Sequence, residues 1–83
     1  MTAAVRVLFF ARYAELVGRD AATATVALPA TVADVVGWVR RELPGASGLP
    51  ERPLAALNAE HARLDATVHD GDEVALLPPV SGG

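Results

Sequence analysis

A single amphipathic stretch in the middle of the chain restricts the fold most. Thr31 and Asp34 have the spacing of a helix cap, because the threonine oxygen accepts first-turn N–H groups and the aspartate lies near the positive end of the helix dipole. Pro44-Gly45 predicts the end of the helix. Between them, apolar side chains recur at helical spacing: Val32, Val35, Val36, Val39 and Leu43. One such stripe, opposite Arg40 and Arg41, predicts a helix packed on one face of a sheet.

Strand patterns lie on both sides of this helix. Residues 5–10 are β-branched and aromatic, and residues 22–28 alternate up to Pro29, so we predict a hairpin of two strands. A strand over 54–58 and a last strand over 74–77 follow the helix. The simplest chain connections place the last strand beside the first. This gives a mixed-sheet α+β layout in which the first and last strands lie in the middle of the sheet.

Alternation predicts the faces of the first strand. Val5, Val7 and Phe9 share one face, and if they fill the core, Phe10 points towards solvent at the end of the strand. From the residues alone, Phe10 is better explained by a small secondary cluster than by binding, since single exposed apolar residues are ordinary. Residues 11–18 predict a helix of one or two turns, and Trp38 is interpreted as a partly covered packing residue.

Composition excludes several classes of site. With 83 residues the chain forms one domain, too small for a large enclosed active site. It contains no Cys, so there is no disulfide, thiolate nucleophile or Cys-ligated zinc. His61 and His69 lack a metal-ligand pattern, and the acidic residues between 65 and 73 lack the spacing of a calcium loop. We therefore expect no metal site and interpret the acidic cluster as turn chemistry.

Charge and hydropathy limit the partners and the location. The net charge is −3, the pI is about 5.1 and the seven basic residues are scattered arginines, which argues against nucleic-acid binding. No apolar run reaches the ~18 residues that a membrane span needs, and the N-terminus lacks the layout of a signal peptide. We expect a soluble cytoplasmic protein.

The C-terminal residues form a distinct unit. Asp70-Gly71-Asp72 is typical of a turn, and the strand over 74–77 must stop at Pro78-Pro79, which have no N–H to give a sheet. This predicts a body over residues 1–77 and an extended tail over residues 78–83. Six extended residues reach roughly 20 Å, enough to carry a terminal carboxylate into the cleft of another protein.

Four segments resemble the small subunits of molybdopterin synthase, sulfur carriers related to ThiS. They are residues 7–11 (VLFFA), 15–18 (ELVG), 70–75 (DGDEVA) and 78–83 (PPVSGG). Gly-Gly alone is shared with ubiquitin-like proteins and with flexible ends, but the acidic turn, strand, double proline and Gly-Gly at these spacings are specific. The resemblance implies a ubiquitin-like β-grasp fold: a mixed sheet of about five strands, one main helix and a flexible C-terminal tail.

The resemblance also implies a function in molybdenum cofactor biosynthesis. In this family an E1-like enzyme uses ATP to adenylate the terminal glycine, here Gly83, which becomes a thiocarboxylate. The tail enters the large synthase subunit and gives its sulfur to a cyclic pyranopterin precursor. The carrier is then a non-catalytic sulfur-donor subunit without a bound cofactor. The tail residues implied to line the channel are Pro78, Pro79, Val80, Ser81 and Gly82.

The family docks through an apolar patch on the sheet beside the tail. The matching positions are Phe10, Leu77 and His61. His61 is a departure, because some relatives carry an aliphatic side chain there, and Ala14 stands where many relatives have Arg.

The sequence is also compatible with other functions. A related sulfur carrier could feed thiazole synthesis, cysteine synthesis or tRNA thiolation, and a ubiquitin-like modifier would be conjugated through Gly83. This chain has no Lys and could not form chains through its own side chains. A plain interaction domain with a disordered end is the third alternative.

Overall fold

A computed structural model describes residues 1–79, which form two sheets with one main helix. The elements are β1 (Thr2–Phe9), α1 (Arg12–Val17), β2 (Ala21–Ala27), β3 (Ala30–Thr31), α2 (Val32–Glu42), a 3₁₀ turn (Ala46–Gly48), β4 (Leu54–Leu57), β5 (Glu60–Ala62), β6 (Thr67–Val68) and β7 (Glu73–Leu77). The larger sheet has the order β2-β1-β7-β4-β5, and β3 pairs with β6 in the smaller one.

The two ends of the described chain meet in the middle of the larger sheet. β7 runs parallel to β1, while β2 on the other side of β1 is antiparallel. β7 also pairs antiparallel with β4, which pairs with β5. The predicted mixed sheet, with the last strand beside the first, is confirmed.

The core lies between the larger sheet and α2. Val5 and Val7 are completely buried and Phe9 almost so, as the alternation predicts. Four members of the helical stripe are buried against them, whereas Leu43 and Trp38 are partly buried at the margin. The sequence pattern thus gives both contacting faces of this interface correctly.

A capping box fixes the start of α2. The Thr31 N–H donates to the Asp34 carboxylate at 2.8 Å, and the Asp34 N–H donates to the Thr31 hydroxyl at 3.3 Å. The reciprocal bonds satisfy two first-turn donors. The helix ends at Glu42, two residues before Pro44.

Some boundaries differ from the prediction. β1 begins at Thr2 rather than residue 5, because Ala3 is buried and pairs with Val26. β1 also ends at Phe9, so Phe10 follows the strand. The small β3–β6 sheet was not predicted, since two residues are too few to show a period. In residues 1–79, none of the helices is long and apolar enough to cross a bilayer.

Candidate functional site

The face of the larger sheet that α2 leaves uncovered carries a group of neighbouring, mainly apolar residues. In one row across the strands, Ala75 of β7 lies between Leu8 of β1 and Ala56 of β4, and His61 of β5 lies beyond Ala56. In the next row, Leu77 lies opposite Leu54. We define the outer patch by these residues and by the residue that follows β1: Leu8, Phe10, Leu54, Ala56, His61, Ala75 and Leu77.

Phe10 is presented by a turn. The Tyr13 N–H donates to the Phe10 carbonyl at 3.0 Å, and Ala11 between them has φ 51° and ψ −129°. These angles are close to the first central position of a type II′ turn, where glycine is preferred. Phe9 is in register with Leu76, so the next step along both strands brings Phe10 to the level of Leu77. Phe10 remains 45% exposed.

Of the three docking residues expected from the sequence, Leu77 and His61 lie on the uncovered face of the sheet, and exposed Phe10 follows the adjacent end of β1. Phe10 and Leu77 lie at the β1–β7 end of the outer patch, and His61 lies exposed on edge strand β5. The sequence reasoning missed Leu54, which is 52% exposed. Alternation along residues 5–10 predicts Leu8 on the same face as Phe10, although Leu8 was not among the expected docking residues.

The tail begins at the margin of this surface. β7 ends at Leu77, as the double proline predicts, and Pro79 lines an open hollow beside α1. The other lining residues are Arg12, Tyr13, Leu16, Gly48 and Pro50. The remaining predicted tail positions, Val80, Ser81, Gly82 and Gly83, lie outside the described residues.

The acidic turn before β7 anchors the strand that carries the tail. The Ala4 N–H donates to Asp70 Oδ1 at 2.7 Å, which attaches the turn to β1. The His69 N–H donates to Asp72 Oδ2 at 2.7 Å, and the Asn58 amide donates to Asp72 Oδ1 at 3.2 Å. These bonds, that from the His69 backbone foremost, lower the pKa of Asp72 from its usual value of 3.8.

These contacts give the carboxylates a structural role. Asp70 and Asp72 connect β7 to β1 and to the turn after β4, which agrees with their interpretation as turn residues. Within residues 1–79, no three His, Asp or Glu side chains come together as a metal site would require. His61 lies on β5, whereas His69 lies at the β7 turn, 3.7 Å from Asp72 Oδ2.

Comparisons with known proteins extend over nearly the whole chain. The molybdopterin synthase sulfur carrier subunit of Escherichia coli K12 is 39% identical over 80 residues, which are 95% of this chain and 99% of the relative. Crystalline SAMP1 from Haloferax volcanii has 31% identity and a TM-score of 0.84, with 96% of this chain and 99% of that chain covered.

A third comparison concerns the fold alone. One chain of a protein-protein complex of subunits 1 and 2 of the molybdopterin-converting factor from Helicobacter pylori 26695 has a TM-score of 0.65. Its sequence identity is 24%, and all of both chains is covered. The model of the ThiS family matches residues 7–83. With this match and the full-length relative in E. coli, the chain belongs to the ThiS family.

Proposed function

We propose that this chain is the sulfur carrier subunit of a molybdopterin synthase. The observation that carries the proposal is the continuity of the outer patch with the root of the tail at Leu77 and Pro78. A partner that covers the patch thereby receives the chain end that follows. The E. coli relative bears this function in its name, and the match to it includes nearly the whole of both proteins.

The proposed carrier group is the carboxylate of Gly83. A carboxylate is ionised at neutral pH and is a poor acyl electrophile. Attack of its oxygen on the α-phosphate of ATP releases pyrophosphate and forms an acyl adenylate, from which a hydrosulfide ion from the sulfur donor displaces AMP. The product is a thiocarboxylate. An E1-like partner supplies the nucleotide site, so this chain needs no cofactor of its own.

The proposed recipient is a large synthase subunit that docks on the outer patch. The H. pylori fold neighbour comes from a complex of subunits 1 and 2 of its converting factor, which supports a partner of this kind. Apolar side chains at Phe10, Leu54 and Leu77 are suited to act as buried anchors of such an interface. Gly82 and Gly83 lack Cβ atoms and fit a narrow channel in which the sulfur passes to a cyclic pyranopterin precursor.

A second candidate is a protein modifier. The likeness to SAMP1, a small archaeal modifier protein, favours this function. The same Gly83 adenylate would then be attacked by a lysine amine of a target, giving an isopeptide bond in place of a thiocarboxylate.

Intact mass spectrometry separates the two candidates. The full chain is incubated with an E1-like adenylating enzyme, ATP and a sulfur donor, and the carrier function predicts replacement of one carboxylate oxygen by sulfur. Fragmentation should place the change on Gly83. A chain that is recovered only as adducts on lysines of other proteins, and never as a thiocarboxylate, would establish the modifier function instead.

A further inference from the structure

The outer side of β2 is an open sheet edge. β2 is the first strand of the larger sheet, and within residues 1–79 its far side has no strand partner. The opposite edge, β5, is only three residues long and carries Glu60 and His61. Short strands and charges of this kind protect an edge from pairing. β2 has seven residues, without a charge, a proline or a glycine.

The hydrogen bonds between β2 and β1 show which N–H and C=O groups of β2 point away from the sheet. The Phe9 N–H donates to the Asp20 carbonyl at one end, and the Leu28 N–H donates to the Met1 carbonyl at the other. Bonded and non-bonded pairs alternate in an antiparallel ladder, so Ala22, Ala24 and Val26 bond to β1. The alternate residues therefore direct their N–H and C=O groups away from the sheet. They are Ala21, Thr23, Thr25 and Ala27.

This edge is complementary to itself. If two copies meet antiparallel about a two-fold axis at Ala24, Thr23 of each copy lies opposite Thr25 of the other, and Ala21 lies opposite Ala27. All four outward-facing residues then have a bonded partner. A shift of the axis to Thr23 or Thr25 leaves one of the four without a partner in each copy.

The side chains fit the same arrangement. On the uncovered face, Thr23 and Thr25 form cross-strand threonine pairs, which are favourable in antiparallel sheets. On the face covered by α2, the residue at the axis is Ala24, which is completely buried under its own helix and presents no bulky side chain to the other copy. No like charges face each other along the pairing, since the seven residues are all uncharged.

We infer that β2 is a self-association edge through which two copies of this chain form one continuous sheet. The paired edge is about 23 Å long at ~3.3 Å per residue, and such a narrow contact buries less area than the ~1,200 Å² or more of stable complexes. The dimer is therefore weak and reversible. β1 separates β2 from β7, so the outer patch and the tail root stay uncovered in the dimer.

Sedimentation equilibrium and amide NMR of the full chain test this inference between about 50 µM and about 1 mM, the range of weak complexes. We expect a monomer–dimer equilibrium. The amide signals of Thr23 and Thr25 should shift with concentration more than those of Ala22 and Ala24. A chain that stays monomeric throughout this range would overturn the inference.

Charge variants test the register. Thr23→Lys/Thr25→Lys brings like charges together and should raise the dissociation constant at least tenfold, as should Thr23→Glu/Thr25→Glu. A mixture of the two variants should restore association, which also shows that both are folded. Glu60→Lys changes the net charge by the same two units on the opposite edge and should leave association unchanged. Association of the lysine variant at wild-type strength, or failure of the mixture to associate, would refute the β2 pairing.

Discussion

Leu54 and Leu77 lie directly opposite each other in the antiparallel β4–β7 pair, on the face of the sheet that α2 leaves uncovered. Leu77 is also the last residue of β7, immediately before Pro78. The apolar pair therefore adjoins the point where the tail leaves the sheet. A partner that buries this pair is positioned to receive the tail, which connects docking with delivery of the chain end.

Phe10→Arg should weaken binding of the large synthase subunit by about 2 kcal/mol or more, because buried aromatic anchors contribute most at such interfaces. The Phe10 side chain is nearly half exposed, so the fold should be retained. Titration calorimetry measures the loss, and circular dichroism checks the fold. Undiminished affinity would remove Phe10 from the interface.

Leu54→Arg should weaken the same complex by a similar amount, about 2 kcal/mol, although the sequence alone did not indicate Leu54. The physical reason is its contact position opposite Leu77. Thr67→Arg is the matched control, since it adds the same charge at an exposed position of the smaller sheet. If both variants lose affinity equally, net charge rather than the outer patch determines binding.

The buried faces of β1 and α2 could be predicted from the sequence, because their apolar residues recur at regular spacing. Val5, Val7 and Phe9 are separated by residues of the other face, and the valines of α2 recur at helical spacing, so both sides of the core were identified. The central position of β7 could also be predicted, because connections between strands are usually short and do not cross.

The rest required the structure because the sequence carries no local signal for it. Residues 54–57 (LAAL) are apolar throughout, so no alternation shows which face Leu54 occupies; the register with β7 decides it. Ala11 occupies a turn position that glycine usually marks, so the turn that presents Phe10 could not be read from composition.

Ala59→Gly should stabilise the fold by about 0.5–1 kcal/mol. Asn58 and Ala59 have φ values of 50° and 72° in the two-residue turn between β4 and β5, and an alanine Cβ is strained in that region. Urea unfolding measures the change. Ala33→Gly, at an exposed position of α2, is the opposite control and should destabilise by about 0.5–1 kcal/mol. A destabilised Ala59→Gly variant would show that the alanine is not strained.

Stability should fall as the pH drops through the pKa of Asp72. The folded state lowers this pKa below 3.8 through the bonds from His69 and Asn58. The unfolded state therefore binds the proton more readily than the folded state. The ionised Asp72 stabilises the fold fully at pH values well above 3.8, and this stabilisation is lost as the pH falls through the lower pKa of the folded state. Urea unfolding between about pH 6 and about pH 2 should therefore show that the free energy of unfolding decreases less for Asp72→Asn than for the wild type. Asp65→Asn is the control. If the free energy of unfolding of Asp72→Asn decreases with pH as much as that of the wild type, the ionised Asp72 does not stabilise the fold.

Deletion of Gly83 should abolish thiocarboxylate formation and pterin sulfuration while leaving thermal stability almost unchanged. Within residues 1–79 the buried core extends from Ala3 to Leu76, and terminal residues usually contribute little to the stability of a domain. Intact mass, a purified sulfuration assay and thermal unfolding measure the three properties on the same preparation. Phe10→Arg is the complementary variant: its terminus can still be loaded with sulfur chemically, but it should then deliver that sulfur poorly to the large subunit. A Gly83-deleted chain that still supported sulfuration would exclude the terminal carboxylate as the carrier.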